Sequence, residues 1–150
     1  MTVFAEYKKA RFNYEVLEQY EAGIELFGHE VKSVKKGSVT FEGSYIGVRG
    51  GEVFLMGVQI SPYQPSNKAG IKDYDPIRAR KVLIKKSEIL ELENMEAKKG
   101  LTIVPLSFYS QGPKIKLKFA VVRGKKQQDK RETMKKRDSD REIQRTLKNQ

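Results

Sequence analysis

The 150-residue chain contains no cysteine and only one histidine, His29. Without cysteine it can form neither a disulfide framework nor a thiolate metal site. One histidine cannot build a histidine metal cluster, and a catalytic triad would have to centre on this residue. No nucleophile motif lies near His29, so we interpret it as a surface or capping histidine. We expect no metal, no cofactor and no enzymatic activity.

Long apolar runs are also missing. No segment approaches the roughly 18 consecutive apolar residues that a membrane-spanning helix needs. Residues 1–9 mix charged with apolar side chains and lack the apolar run of a signal peptide. We therefore expect a cytoplasmic monomer that does not enter a membrane.

Positive charge is abundant, and much of it lies at the C-terminus. The formal net charge is +11, and residues 123–150 carry eleven Lys or Arg against five Asp or Glu. That segment has only three aliphatic side chains, Met134, Ile143 and Leu147, which cannot offset the entropy of ordering it alone. A tail this basic is attracted to a phosphate backbone, and RNA is the expected partner. We predict a folded domain over residues 1–122 and a basic tail over 123–150 that is disordered when free.

The tail nevertheless carries favourable helical charge pairs. Glu132 with Lys136 and Glu142 with Arg145 each contribute a few tenths of a kcal/mol in a helix. These pairs cannot hold a lone helix in water, so we expect the tail to fold on binding a polyanion. The alternative is an unstructured tail that only improves solubility.

The first half of the chain predicts a strand, a short helix and a hairpin. Residues 14–26 approach the period of two of a half-buried strand, which we expect to be the first strand and to bend near Gly23. Residues 29–36 have a helical pattern that Gly37 ends. Residues 44–49 and 52–56 form a hairpin, because the pair Gly50-Gly51 supplies the positive φ angles of a tight turn.

The second half predicts a long loop, a helix and another hairpin. Residues 61–80 are rich in proline and have little periodicity, which indicates a loop before a strand at 81–84. Ser87 is expected to cap a helix that ends at Lys99. Residues 101–109 and 114–122 form the second hairpin. Its last strand alternates so that three lysines face outward, namely Lys114, Lys116 and Lys118.

About six strands with two or three short helices predict a mainly β fold. Strands separated by turns fit an OB-like closed or partly closed β-barrel better than a layered α/β fold. Such a barrel with a lysine-lined face is typical of a nucleic-acid-binding module.

Basic and aromatic residues interleave at several positions. Arg and Lys can hold phosphates while Tyr and Phe stack on unpaired bases. The candidate RNA contacts of this kind are Lys9, Arg11, Tyr45, Arg78, Arg80 and Lys81. Two acidic residues, Asp73 and Asp75, could bind magnesium in a nuclease, but acidic residues in a proline-rich loop are more often turn formers.

Several motifs occur together in one order along the chain. They are Lys9-Ala-Arg-Phe-Asn-Tyr, Tyr20-Glu-Ala-Gly-Ile, Gly28-His-Glu-Val-Lys-Ser, Ser44-Tyr-Ile, Ile60-Ser-Pro-Tyr, Asp75-Pro-Ile-Arg-Ala-Arg-Lys, Gly100-Leu-Thr-Ile-Val-Pro-Leu and Arg123-Gly-Lys-Lys-Gln-Gln-Asp-Lys-Arg. In this conjunction the chain resembles the SmpB family of SsrA-binding proteins from about residue 9 to its end.

The resemblance implies a non-enzymatic partner of transfer-messenger RNA in bacterial trans-translation, which rescues stalled ribosomes. It implies that an OB-like barrel holds the tRNA-like domain of that RNA. It also implies that the tail enters the empty mRNA channel of the small ribosomal subunit, past the decoding centre, and becomes helical there.

Individual residues follow from the same resemblance. It implies RNA contacts at Glu21, Leu83 and Lys116, where a carboxylate, an apolar side chain and a cation could meet a hydroxyl, a base or sugar, and a phosphate. In the tail it implies ribosome contacts at Gly124, Lys125, Lys126, Gln128, Asp129, Lys130, Arg131, Lys135 and Arg137. Gln128 departs from the family, which often has histidine or an aromatic residue there that can stack on a ribosomal base.

Two other hypotheses compete with this interpretation. The chain could be a generic OB-fold protein for single-stranded nucleic acid, in which case excess unstructured RNA should displace a folded RNA from it. It could also be a nuclease that uses Asp73 and Asp75, in which case Asp75→Ala should abolish metal-dependent cleavage.

Overall fold

Antiparallel β-strands make up most of the fold. The computed structural model of the chain describes residues 1–63 and 73–124. Within those ranges the elements in chain order are β1 Val3–Glu6, α1 Lys8–Asn13, β2 Tyr14–Ile24, α2 Gly28–Lys35, β3 Val39–Thr40, β4 Tyr45–Arg49, β5 Glu52–Met56, β6 Gln59–Ile60, β7 Arg80–Leu83, α3 Lys86–Glu96, β8 Leu101–Gln111 and β9 Lys114–Gly124.

Seven of the strands form one sheet in the order β1-β8-β9-β2-β7-β5-β4, and β3 pairs with β6 in a separate ladder. Every pair is antiparallel. The sheet curls without a hydrogen-bonded closure between β1 and β4. The predicted mainly β, partly closed barrel is confirmed, with nine strands in the described ranges rather than about six.

Both predicted hairpins are present. In the first, Arg49 pairs with Glu52, and the turn glycines Gly50 and Gly51 have φ angles of 61° and 77°. In the second, β8 and β9 pair from Leu101 opposite Arg123 to the turn at Gly112, so both strands are longer than predicted. Turn glycines with positive φ fix the register of a hairpin locally, which is why these elements could be predicted.

The main core lies inside the curled sheet. Its largest fully buried apolar side chains include Phe108, Phe119, Leu117 and Leu55, and Leu92 of α3 packs with them. Burial of a side chain of this size contributes about 1.5–3 kcal/mol relative to exposure. The two long strands β8 and β9 supply most of these residues, so they form the centre of the fold.

A smaller core lies on the outer face of the same sheet. Ala10 of α1 packs there against Val104 and Leu106 of β8 and Ala120 and Val122 of β9. Neither α1 nor β1 was predicted, so the strand at 14–26 is the second strand and not the first. With only six residues, α1 is too short for its periodicity to be recognised.

The prediction of α2 is confirmed, including its end. Gly37 has a φ of +76°, and its N–H donates to the carbonyl of Val34 at 2.8 Å. A glycine in the left-handed region after the last turn is the expected helix stop.

The cap predicted for α3 is wrong. The helix begins at Lys86 after Lys85, whose N–H donates to Glu88 Oε1 at 3.4 Å, so Ser87 lies within the first turn. The helix ends at Glu96 rather than at Lys99. Ile89, Leu92 and Met95 form the face of α3 that packs on the core, and Leu92 is fully buried.

Candidate nucleic-acid interface

Three strands bring the predicted RNA contacts together around Gly23. Gly23 of β2 is paired with Lys116 of β9 on one side and with Leu83 of β7 on the other. Directly paired residues in antiparallel strands point to the same face of a sheet. Glu21, two residues before Gly23, shares that face and is paired with Lys118. Residues far apart in sequence therefore form one surface.

The missing side chain at Gly23 opens a trough in this surface. A Cβ atom at Gly23 would lie 3.3 Å from Leu83 Cβ, so even alanine would crowd its neighbour. The trough continues into an open groove of about 740 Å³. The charged and apolar side chains that line the groove include Glu21, Glu52, Lys81, Leu83, Ile84, Lys85, Lys86, Glu88, Ile89 and Lys116.

Lysines dominate the charge of the groove, but they differ in their partners. Lys81 Nζ lies 3.1 Å from Glu52 Oε1 in an exposed ion pair. Such a pair contributes at most about 1 kcal/mol, so a phosphate can compete for Lys81. Among the residues that the structure describes, Lys116 forms no ion pair. Lys116 is therefore the cation most available to a phosphate at Gly23.

A second groove of about 390 Å³ adjoins the first and shares Gly23, Leu83 and Lys116 with it. Its remaining lining is largely apolar and includes Ile24, Leu26, Val31, Pro113 and Ile115, with Lys114 at its edge. Leu83 stands between the two grooves and is 45% exposed. An exposed apolar side chain beside lysines suits the sugars, bases and phosphates of RNA.

Helix α1 explains why this surface is uncovered only at one end of the sheet. The helix packs over Ala120 and Val122 near the end of β9, whereas Lys116 and Lys118 lie before its contact region. The outer face of β9 thus changes from apolar and covered to cationic and open along one strand. The lysine-lined face that the sequence predicts therefore corresponds only to the open part of the outer face of β9.

Three other predicted contacts lie outside the two grooves. Lys9 and Arg11 are exposed on α1, and Lys9 Nζ lies 2.9 Å from Glu42 Oε1. The hydrogen bond that Lys9 donates to the Glu42 carboxylate raises the pKa of Lys9. Tyr45 is 40% exposed on β4, the edge strand of the sheet. The structure does not bring these three residues to the surface around Gly23.

Arg80 belongs to the interior of the fold. Its side chain is fully buried, and it donates to Glu30 Oε2 at 2.8 Å, to the carbonyl of Val58 at 2.8 Å and to the carbonyl of Pro76 at 2.9 Å. A side chain with no exposed surface presents nothing to RNA. The prediction of an RNA contact at Arg80 is therefore corrected to a structural role. Arg80 has this role because its guanidinium pairs with the carboxylate of Glu30, which lies fifty residues earlier in the chain.

Glu30 is the centre of this buried network, which also holds most of Arg78. Arg78 Nη2 donates to Glu30 Oε1 at 2.5 Å, Tyr74 Oη donates to Oε2 at 2.8 Å, and the Phe27 N–H donates to Oε1 at 2.7 Å. Burial alone raises the pKa of Glu30, but the hydrogen bonds from Arg78, Phe27, Tyr74 and Arg80 outweigh it and lower the pKa to about 2. The carboxylate is therefore ionised at neutral pH, where its charge balances the arginines.

Arg78 reaches the surface on its other side. Its guanidinium carbon lies 3.9 Å from the ring centroid of Phe27, which is 52% exposed. The guanidinium is fixed between a buried carboxylate and an aromatic face. Arg78 therefore remains a candidate contact, although it lines neither groove.

The acidic residues proposed for a nuclease do not form a metal cluster in the described ranges. Asp75 Oδ1 accepts from the Ile77 N–H at 3.0 Å, which is the bond of a turn-forming aspartate. Within residues 1–63 and 73–124, no group of three or more His, Cys, Asp or Glu could hold a metal ion.

His29 is a packing residue rather than a surface one. It is half-buried, and its ring meets the ring of Tyr74 edge-on at a centroid distance of 4.4 Å. His29 was interpreted as a surface or capping histidine, and the structure places it in the first turn of α2, only partly exposed.

The tail begins where β9 ends. Gly124 is paired with Tyr14, so the sheet extends two residues beyond the predicted boundary at 122. The other predicted tail contacts lie outside the described residues, namely Lys125, Lys126, Gln128, Asp129, Lys130, Arg131, Lys135 and Arg137. Among the helices that the structure describes, none is long and apolar enough to cross a membrane.

Sequence reasoning missed Tyr109 on β8, which is paired with Lys116 and so belongs to the same face. Tyr109 is only 4% exposed, and within the described residues its hydroxyl makes no well-formed hydrogen bond, although it lies close to the Glu21 carboxylate. The sequence contains one weak signal, the place of Tyr109 at the end of the first strand of the predicted hairpin, beside the lysine-lined strand. An unsatisfied hydroxyl can be recognised only from coordinates.

Comparisons with known proteins agree with one another. A family model described as SmpB protein matches residues 4–149. The SsrA-binding protein of Prochlorococcus marinus subsp. pastoris is 48% identical over 144 residues, which are 96% of this chain and 81% of that protein. The SsrA-binding protein of Ligilactobacillus salivarius is 47% identical over 97% of this chain and 92% of that protein.

A solved structure gives the same result. A chain of "tmRNA-SmpB: a journey to the center of the bacterial ribosome" matches with a TM-score of 0.69 and 42% identity, over 81% of this chain and 84% of that chain.

Proposed function

The chain belongs to the SmpB family, and on this premise we propose that it is an RNA-binding adaptor. It binds the tRNA-like domain of transfer-messenger RNA and delivers that RNA to stalled ribosomes in trans-translation. The chemistry is recognition rather than catalysis, and the ribosome as partner supports a cytoplasmic location.

The observation that carries this proposal is the surface around Gly23. It combines Lys116, which has no ion partner within residues 1–63 and 73–124, the exposed apolar side chain of Leu83 and the carboxylate of Glu21. Phosphate contacts position a protein on RNA, while hydroxyl and base contacts provide selectivity. A surface with all three kinds of group suits a folded RNA better than a featureless basic stripe would.

We further propose a division of labour between the folded domain and the tail. The sheet surface holds the tRNA-like domain, and residues 125–150 probe the vacant mRNA channel beyond the decoding centre. The boundary at Gly124, where the paired strand ends, supports separating the two tasks. The tail keeps the charge that such a channel of phosphates requires.

Competition binding tests the proposal. The full chain should keep the tRNA-like domain RNA in the presence of excess unstructured RNA at about physiological salt, measured by fluorescence anisotropy. If unstructured RNA displaces it in proportion to its concentration, the chain is a generic single-strand binder instead.

Two exposed leucines provide a matched pair of variants. Leu83 is 45% exposed in the surface around Gly23, and Leu90 is 57% exposed on α3 outside both grooves. We expect Leu83→Ala to weaken binding of the tRNA-like domain roughly tenfold, as loss of one stacking-type contact does, and Leu90→Ala to leave it unchanged. Equal affinities of the two variants would place the RNA elsewhere on the protein.

A further inference from the structure

The buried hydroxyl of Tyr109 makes no well-formed hydrogen bond within the described residues, and the acceptor that it faces is the carboxylate of exposed Glu21. Native proteins pair nearly all buried polar groups, so an exception calls for a physical reason. The rest of the side chain is well packed, with the residue only 4% exposed in the long strand β8. Burial of this hydroxyl therefore costs free energy of folding that a phenylalanine at position 109, which would pack equally well, would not cost.

A small pocket of about 370 Å³ adjoins this hydroxyl. Its lining includes Glu21, Tyr109, Ser110 and Gln111, together with Met1 and Gly112. Ser110 Oγ already accepts from the Thr2 N–H at 2.8 Å. Burial of the ring, followed by the charge of the exposed Glu21 carboxylate and a hydrogen bond to it, raises the pKa of Tyr109. The phenol therefore stays protonated at neutral pH and can donate its proton to a ligand's oxygen.

The pocket also lies beside the cation of the RNA-binding surface. Tyr109 and Lys116 are directly paired across β8 and β9, with Cα atoms of such pairs about 4.5–5.5 Å apart. That separation is about the distance from a ribose to its own phosphate. A nucleotide whose phosphate meets Lys116 could therefore present its sugar to Tyr109.

We propose that the pocket binds one ribose of the RNA and recognises its 2′-hydroxyl. The 2′-hydroxyl accepts a hydrogen bond from Tyr109 and donates one to the Glu21 carboxylate. It therefore acts both as an acceptor and as a donor. Because Glu21 is exposed, its side chain can turn to admit the sugar. This inference rests on the proposed function and adds to it a site that distinguishes RNA from DNA.

The first test is Tyr109→Phe in the full chain, with the tRNA-like domain RNA as the probe. Binding should weaken roughly two- to tenfold, the range expected for loss of one hydrogen bond. The melting temperature should stay the same or rise, because the variant removes an unsatisfied group. The control Tyr14→Phe removes a hydroxyl at the start of β2, outside both grooves and the pocket beside Tyr109, and should leave RNA binding unchanged.

The second test replaces single nucleotides of the RNA by their 2′-deoxy forms. The wild-type chain should lose a similar factor in affinity at one position, and Tyr109→Phe should lose nothing more at that position. Non-additivity of this kind would show that the two hydroxyls meet, which a merely structural role of Tyr109 cannot produce.

Either of two results would overturn the inference. Tyr109→Phe could bind as tightly as the wild type, or its loss could add to that of every 2′-deoxy substitution. In both cases the wild type would still prefer the tRNA-like domain, so the proposed function would stand. Loss of that preference in the wild type would instead refute the proposed function.

Discussion

At the scale of single residues, burial separates cations that look alike in the sequence. Lys116 and Arg80 are both basic residues on strands of the same sheet. Lys116 lines both grooves without an ion partner among the described residues, whereas Arg80 is enclosed with the Glu30 carboxylate. A basic side chain can bind an external phosphate only when it is not already held by a buried carboxylate of the same protein.

Lys116→Ala should lower the salt dependence of RNA binding. One phosphate contact contributes about one counterion, so the slope of log affinity against log salt should decrease by roughly one. The measurement is a salt titration of binding to the tRNA-like domain.

Lys98 is the matched control for that titration. It is exposed after α3 and lines neither groove, so Lys98→Ala should keep the wild-type slope. An unaltered slope in Lys116→Ala would show that Lys116 meets no phosphate.

At the scale of elements, the Glu30 network joins parts of the fold that no strand pairing connects. Glu30 belongs to α2 and Arg80 begins β7, and the single hydroxyl proton of Tyr74 is shared between Glu30 Oε2 and the carbonyl oxygen of Ile60, which lies 2.9 Å from Tyr74 Oη. The network thus fixes both ends of the segment between β6 and β7 to the helix. Buried and fully hydrogen-bonded charges of this kind are costly to disrupt.

Glu30→Gln should destabilise the folded domain by about 3–5 kcal/mol at neutral pH, because it leaves two arginines without their carboxylate. The pKa of Glu30 is lowered from 4.5 to about 2, so its contribution is complete above pH 4.5 and is lost as the pH falls towards 2. Urea unfolding at a series of pH values should show the wild type and the variant converging across that interval.

Glu52→Gln is the corresponding control on the surface. Glu52 pairs with Lys81 while about half of its side chain is exposed, so its loss should cost less than about 1 kcal/mol. A difference between wild type and Glu30→Gln that persisted at pH 2 would contradict the assignment of the effect to the carboxylate charge.

These elements also show which features the sequence could predict. The hairpin at Gly50-Gly51 and the stop of α2 at Gly37 were predictable because their chemistry is local. The contact between Arg80 and Glu30 was not, because it depends on a fold that brings together residues 50 positions apart. Helix α1 could not be predicted either, because its six residues are too few to show a helical periodicity in the sequence.

The candidate site also contains both residues that could be predicted from the sequence and a feature that could not. Glu21, Leu83 and Lys116 were predicted by resemblance to a family, and the pairing of three strands at Gly23 explains why they lie on one surface. The unpaired hydroxyl of Tyr109 depends on side-chain packing, which no sequence pattern describes.

At the scale of the whole molecule, the two proposed tasks lie at opposite ends of one strand. Lys116 stands near the start of β9 and Gly124 at its end, about 27 Å apart along an extended strand. RNA capture and channel sensing can therefore proceed without competing for the same surface.

Removal of residues 125–150 should separate the two tasks. We expect the shortened chain to bind the tRNA-like domain within roughly threefold of the full chain at physiological salt, where the charge of the tail is largely screened. We expect it to support no tagging of stalled peptides in a reconstituted translation system. Equal loss of binding and tagging would contradict the division of labour.

A chain with residues 125–150 in scrambled order is the control, because it keeps the charge of the tail and changes only the order of its residues. Tagging by this chain would show that charge alone is sufficient.

The position of β9 also has a mechanical consequence. It is paired with β8 and β2 along nearly its whole length, up to Gly124, the last described residue of the strand. A pull along the axis of β9 at Gly124 would act at right angles to the interstrand hydrogen bonds and so load both ladders in shear. All of those bonds must yield together rather than one after another. A tail held in a moving ribosome is thus attached to the fold at the place best able to resist tension.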